Sequence, residues 1–384
     1  MGIFLLVVGL ILFIGLVVIH ELGHFWAARR GGVTVEEFGL FFPPRLWRKR
    51  MKSGYDFTVN LLPLGGFVKL KGEHDSDTGK GSYGAARTRT KVKIMLAGVF
   101  MNLVTAVALF TVLALVGMPK LIDNQFTVKS DTKVVRNDVL ISFVEPGSPA
   151  AKAGLEQRDR LVTIGNRVVT SSKDLPNLTE QFAGKPTKVI YVRDGQTRTT
   201  TATFRTQAVV SASSKSSSPK GYLGVQPIEF ALRRSTWSAP VVAVGLTAQL
   251  TALTYQGLGH ALAGLGGIFA GFFTNNHVAR QHAQTVASSQ VSGPVGIFVI
   301  LKDGSLLGYQ FMLLIIAVIS LTLAIMNVLP IPALDGGRLF VMLVSRLFRI
   351  RISPQAEEGI YSAGFAVLIG LIVLVTVVDV KRFF

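Results

Sequence analysis

No cysteine occurs in the 384 residues, which excludes disulfides and thiolate metal sites and leaves any metal to nitrogen and oxygen ligands. Acidic residues are scarce: 22 Asp and Glu stand against 40 Lys and Arg, for a net charge of +18. Charge of either sign is sparse too, at 16% of the chain beside 49% hydrophobic residues, a balance that excludes an ordinary soluble protein. The lipid bilayer is therefore the expected surrounding, and the positive excess suits loops beside anionic lipid. No nucleic acid is expected as a partner, since no basic helix or stacking motif accompanies the charge.

What is present is a set of long apolar runs. Residues 2–19, about 94–117, about 308–329 and about 357–378 are each long enough and nearly free enough of charge to cross a bilayer core. The first run has no basic residue before it and no small-residue cleavage site after it, so it reads as a span rather than a signal peptide. The loop after it holds Arg29, Arg30, Arg45, Arg48, Lys49, Arg50 and Lys52, then Arg87, Arg89, Lys91 and Lys93, which places that loop in the cytoplasm and the N-terminus outside. Arg338, Arg346, Arg349 and Arg351 place the connection between the third and fourth spans inside as well. Both assignments hold only if an even number of crossings separates the two loops. The apolar, Gly-rich stretch 239–273 is therefore expected not to cross but to lie as an amphipathic helix on the outer surface. Its Leu and Phe residues recur at helical spacing, with Thr247, Gln249, Thr251, Thr254 and Gln256 between them.

His20-Glu21-Leu22-Gly23-His24 ends the first run. On a helix this spacing puts both imidazoles on one face, one turn apart, where they can share a metal, and zinc suits that donor set. Ionisable groups at the end of an apolar span are costly and point to function. Glu21 is suited to take a proton from the attacking water in peptide hydrolysis. A catalytic zinc takes three protein ligands and leaves one position open. Asp335, in Asn327-Val-Leu-Pro-Ile-Pro-Ala-Leu-Asp-Gly-Gly337 at the cytoplasmic end of the third span, is the best third candidate. An ordinary turn aspartate of an Asp-Gly pair is the competing reading. Asn327, Pro330 and Pro332 break the helix there, as is tolerated in a membrane where the backbone lines a cavity. Asn327 would bond either substrate backbone or a neighbouring helix. His260, His277 and His282 lack carboxylates at ligand spacing and read as surface histidines, and His74, near Asp75 and Asp77, reads as a polar-loop residue.

Taken together, the His-Glu-x-x-His and Asn-x-x-Pro-x-Pro-x-Leu-Asp-Gly-Gly motifs resemble those of the site-2 protease family of intramembrane metalloproteases, with the bacterial RseP-like branch the nearest. Gly65-Gly66-Phe67-Val68-Lys69 with Gly72-Glu73, Ala97-Gly98, Met101-Asn102 and Ser292-Gly293-Pro294-Val295-Gly296-Ile297 match in order, so the likeness covers nearly the whole chain. Between the second and third spans, short β-rich runs such as Lys188–Val192 indicate a small β-domain. Val144-Glu-Pro-Gly-Ser-Pro-Ala-Ala151, followed by Asp159 and Leu161, resembles a PDZ domain there. Arg158 before Asp159, and Ile164-Gly165-Asn166 in place of the commoner Ile-Asn-Gly, depart from that pattern. Tyr222-Leu-Gly-Val225 resembles a carboxylate-binding segment or forms a final strand. Residues 206–220 and 74–88 read as linker or loop.

The resemblance implies an α-helical polytopic membrane protein with about four transmembrane helices, a membrane-associated β-hairpin and an inserted extracytoplasmic β-rich, PDZ-like domain. The expected parts are an N-terminal core (1–118), the PDZ-like domain (122–210), an outer-surface segment (221–300) and a C-terminal core (305–384). It implies one zinc per chain, held by His20, His24 and Asp335, with Glu21 catalytic. Substrates would be single-pass membrane proteins, such as trimmed anti-sigma factors or remnant signal peptides, cut in the bacterial inner membrane with the site toward the cytoplasm. Tyr55–Lys71 reads as a hairpin turning around Pro63-Leu64-Gly65-Gly66, and its edge at Gly65, Gly66, Phe67 and Val68 would accept an unwound substrate as an added strand. A non-proteolytic scaffold carrying a PDZ-like domain would lack part of the metal set. A transporter would carry more polar residues within its spans.

Overall fold

The computed structural model describes residues 2–73, 77, 79–122, 124–214, 219–273, 294–350 and 352–383. These form two compact units, Leu115–Trp237 and the remainder of the chain.

In the larger unit, helix α1 (Gly2–Arg30) opens the chain. It is apolar all round through Ile19 and leaves Ile3, Phe4, Val7, Ile11 and Ile14 exposed, the pattern of a helix whose solvent is lipid. It ends in Arg29 and Arg30, cations at the negative end of its dipole. Helix α2 (Thr88–Val116) crosses it closely, because Gly23 carries no side chain: a Cβ there would stand 2.5 Å from the Ala97 carbonyl oxygen. Across the smaller unit the chain resumes in a helix of 35 residues, Ala239–Phe273.

Among the described residues five helices are long and apolar enough to cross a membrane: Ile3–Arg30, Thr88–Val116, Ala239–His260, Tyr309–Val328 and Gln355–Val377. Four coincide with the expected spans. The stretch expected to lie on the surface is also long and apolar enough over Ala239–His260. Thr247, Thr251 and Thr254 turn their hydroxyls onto the carbonyls of Ala243, Thr247 and Leu250, so residues that count as a polar face in the sequence are satisfied within the helix.

Between residues 30 and 88 lies a small sheet of two long bent strands, β1 (Val35–Arg50) and β2 (Asp56–Leu70). The chain reverses at 51–55, where the Met51 N–H donates to the Tyr55 carbonyl and Gly54 has φ +89, and again around the expected Pro63–Gly66, since 57–59 run beside 38–40 in the same direction and 66–68 run beside the same residues in the opposite one. Gly65 and Gly66 run inside β2. Beside that reversal they allow close approach, since a Cβ on Gly66 would meet Glu21 Cγ at 3.0 Å and the Gly39 carbonyl at 3.2 Å. Bending lets β1 touch β2 twice: Gly39 faces Phe67 on one side and Thr58 on the other, while Trp47 faces Val59. No strand among the described residues pairs with the far edge of 66–70. Beneath the sheet, Phe25, Ala28, Val33, Val35, Phe38, Leu70, Tyr83 and Ile94 join it to α1 and α2 in one core.

The smaller unit is a seven-stranded antiparallel sheet. Its strands are β3 (Met118–Pro119), β4 (Lys133–Val144), β5 (Arg160–Ile164), β6 (Arg167–Val168), β7 (Pro186–Arg193), β8 (Gln196–Thr203) and β9 (Val225–Arg234). They lie in the order β3-β9-β4-β5-β7-β8, with β6 on β5. The unit extends past the expected limit at 210, because β9 pairs with β4 along nearly its whole length and cannot leave without opening the sheet. Short helices α3 (Pro149–Lys152) and α4 (Leu175–Glu180) cover the core of Val139, Ile141, Leu161, Ile164, Val189, Tyr191 and Phe204. Part of the presumed linker, Gln207–Ser213, is helix α5. Asp159 is fully buried and receives a two-pronged bond from Arg193, Nε to Oδ1 and Nη2 to Oδ2, each 2.7 Å.

The long helix that follows is α6 (Ala239–Phe273), in which Ala239, Val242, Ala243 and Leu246 are buried. Next come α7 (Pro294–Leu307), α8 (Tyr309–Val328), α9 (Asp335–Leu347) and α10 (Pro354–Phe383). Leu301 of α7 and Met312 and Ile316 of α8 pack on Leu16 of α1. Helix α9 was not foreseen in the basic connection. It is strongly amphipathic, with Phe340, Leu343 and Leu347 left exposed.

Candidate metal centre

Helix α1 presents His20 and His24 one turn apart, their rings 4.8 Å between centroids and 76° between planes. The two Nε2 atoms are 3.1 Å apart. Asp335 Oδ2 completes a triangle, 3.1 Å from His20 Nε2 and 3.2 Å from His24 Nε2. Four-coordinate zinc with bonds of about 2.0–2.1 Å separates its ligand atoms by about 3.3 Å, so the three atoms fit one ion. Asp335 Oδ2 is buried and receives no hydrogen bond, as a donor atom reserved for a cation would be. Among the described residues this is the one His/Asp/Glu group able to hold a metal.

Asp335 reaches the histidines because the chain doubles back after α8. Pro330 and Pro332 remove backbone donors, Ala333 takes φ +90, and Asp335 starts α9. Gly336 and Gly337 make the fold-back possible: a Cβ on either would collide with the carbonyls of Val328 and Leu329 or of Ile331. Asn327, at the end of α8, is partly buried, and its side chain has no hydrogen-bond partner among the described residues.

The support around the triangle comes from α2. His24 Nδ1 lies 2.8 Å from the Ile94 carbonyl oxygen, which fixes the proton on Nδ1 and turns the Nε2 lone pair toward the centre. Asn102 places its carboxamide 3.2 Å from His20 Nδ1. Gly98 leaves room for both rings; a Cβ there would stand 2.6 Å from His20 Cε1 and 2.7 Å from His20 Nε2, and closer still to His24 Nε2. Gly98 and Asn102 are themselves one helical turn apart, so two such pairs face each other across the helix crossing. That spacing was the available sequence signal, although it does not reveal which face of α2 is inward.

Glu21 packs against Gly66, which brings β2 beside the metal triangle. The expected substrate-binding residues divide by use. Gly65 packs under the Phe42 ring, the Phe67 ring lies on Gly39, and Val68 packs on the core beneath the sheet, so what 66–68 leave open is backbone edge. Arg338 and Glu73 went unnoticed as a pair. Arg338 Nη1 donates to Glu73 Oε1 at 2.7 Å, and its guanidinium lies 5.4 Å from the Tyr361 ring centre, tying α9 to the end of the sheet and to α10. Such links join residues 265 positions apart. His260 lies on α6 away from any metal group, while His74, His277, His282, Ser292 and Gly293 fall outside the described residues.

Comparison with known sequences gives one consistent family. The profile of peptidase family M50 matches residues 8–371. A Clostridium perfringens protein carrying the provisional name zinc metalloprotease is 28% identical over 98% of both chains. The probable protease Eep of Enterococcus faecalis is 25% identical, covering 96% of this chain and 97% of its own. The regulator of sigma-E protease RseP of Salmonella typhimurium is 24% identical over 96% of each.

Proposed function

This chain belongs to peptidase family M50, and on that premise we propose that it is an intramembrane zinc metalloprotease that hydrolyses peptide bonds in or beside the transmembrane segments of single-pass membrane proteins. The observation that carries the reading is the convergence of His20, His24 and Asp335 at 3.1–3.2 Å, with Glu21 between the histidines in sequence and against Gly66 in space.

His20, His24 and Asp335 would hold the ion. When bound, zinc supplies a Lewis acid that acidifies water and polarises a peptide carbonyl. Glu21 accepts the proton of the attacking water on its carboxylate and passes it to the departing amine nitrogen. The free edge at 66–70 pairs with a substrate segment whose helix has opened, taking up the backbone groups that unwinding leaves bare. Its nearness to Glu21 supports this, and the unpartnered Asn327 amide suits a further bond to substrate backbone.

The two basic loops support a topology with α1, α2, α8 and α10 crossing the inner membrane, the N-terminus outside, the metal centre toward the cytoplasm and α6 on the outer surface. On that topology the sheet unit inserted between α2 and α6 is extracytoplasmic. We read it as PDZ-like and as a filter that admits only substrates already trimmed outside, such as anti-sigma factors or signal-peptide remnants. The name of the Salmonella relative, a regulator of sigma-E protease, supports that substrate class.

The test compares purified wild type with Glu21→Gln and Asp335→Ala for zinc content and for cleavage of a single-pass test substrate. Glu21→Gln is expected to keep zinc and lose at least about 100-fold in cleavage, and Asp335→Ala to lose zinc. Equal cleavage by wild type and Glu21→Gln would sink the catalytic role.

A further inference from the structure

A histidine that offers Nε2 to a metal carries its proton on Nδ1, and a buried Nδ1–H needs an acceptor. At His24 the Ile94 carbonyl is that acceptor. At His20 the group in reach among the described residues is the Asn102 carboxamide, whose Nδ2 stands 3.2 Å from Nδ1 while its Oδ1 is buried with no partner. Were Nδ2 to donate to Nδ1, the His20 proton would sit on Nε2 and point into the triangle with His24 and Asp335, removing a ligand. A half-turn of the carboxamide exchanges its two ends and moves nothing else.

We propose that Asn102 is a positioning residue for the metal centre, its Oδ1 accepting the His20 Nδ1–H and so presenting the Nε2 lone pair in register with His24. The inference rests on the metal reading above. Asn102 is 1% exposed, so water cannot take over the role. Its own place is fixed from a third helix: Ser320 of α8, fully buried, donates its hydroxyl to the Asn102 backbone carbonyl at 2.8 Å. Helix α8 continues directly into the loop that delivers Asp335. One residue of α2 thereby ties the ligand helix α1 to the helix that supplies the third ligand.

The experiment measures zinc affinity by chelator competition on the full-length, detergent-purified wild type, Asn102→Ala and Asn102→Asp, with thermal unfolding recorded for each. Loss of such an orienting partner costs about 10–100-fold in metal affinity, so Asn102→Ala is expected to weaken zinc binding by that factor. Asn102→Asp keeps an acceptor at Nδ1 and is expected to recover most of the loss, which a merely space-filling role would not require. If Asn102→Ala does not fold, Asn102→Leu, which fills the volume without an acceptor, takes its place. Aspartate binding zinc no better than alanine would overturn the proposal, as would wild-type affinity in Asn102→Ala. A wild type without zinc would overturn the metal reading and this inference together.

Discussion

Replacing Gly98 with alanine adds one methyl group at the point where α2 meets both histidine rings. The new Cβ would stand 2.6 Å from His20 Cε1 and 2.7 Å from His20 Nε2, whereas ordinary contact begins at 3.4 Å. The ring must therefore retreat by about 0.7–0.8 Å, while metal sites hold their ligand distances to within about 0.2 Å. The crossing is already tight one residue along, where Gly23 lies against the Ala97 carbonyl. Overpacking of this kind costs about 1–3 kcal/mol. If all of it falls on the metal-bound form, zinc affinity drops by about 5- to 150-fold. Chelator competition on purified protein measures the drop. The matched control is Gly15→Ala in α1, where a Cβ meets nothing within 4 Å, so zinc affinity should be unchanged. If Gly98→Ala bound zinc as tightly as Gly15→Ala, the close crossing of α1 and α2 at the metal triangle would be refuted.

Phe67→Pro and Val68→Pro remove backbone N–H groups on opposite edges of β2; whichever faces away from β1 should lower cleavage at unchanged zinc content, and undiminished cleavage by both variants would exclude strand addition there. In the sheet unit, Asp159→Ala removes the buried partner of Arg193, which keeps Glu156 and the Gly154 carbonyl, and should destabilise that unit by about 1–3 kcal/mol, seen as early proteolysis or a lower first melting transition. The Arg205 guanidinium, hydrogen-bonded to Glu145 at 2.8 Å, holds the Glu145 carboxyl below its ordinary value of 4.5. A depressed carboxyl stabilises the fold above that ordinary value and loses its contribution as pH falls through the lower folded value. The sheet unit should accordingly lose stability below about pH 4.5, and Arg205→Gln should flatten that dependence; an unchanged acid limb would remove the pair from the account.

Much of the metal centre was legible in the chain because its parts are local. His20 and His24 share one helical turn, so spacing alone puts them on one face, and the length of apolar sequence before them sets their depth. Asp335 could be named because the basic loops imply a crossing parity that would return the third span to the same side. The long apolar runs likewise announced their helices, since an all-round hydrophobic helix requires only length and composition. The β-hairpin was legible as a sheet and in its reversal around Pro63–Gly66, but not in the segment 38–40 that lies between its two arms. Gly54 makes a further reversal, and Gly65 and Gly66 also serve contacts with Phe42, Glu21 and Gly39 that no local pattern encodes.

What the sequence named by itself was therefore a set of candidate ligands: a two-histidine helix turn, an aspartate after a later apolar run, and a glutamate beside the histidines. Only the tertiary structure decided the 3.1–3.2 Å triangle, the inward face of Gly98 and Asn102, and the strand edge laid against Glu21. The physical reason is that periodicity fixes which residues of one helix share a face. Which face of a neighbouring helix meets it depends on packing among all the helices at once, and a stretch as uniformly apolar as α2 carries no polar stripe to reveal it.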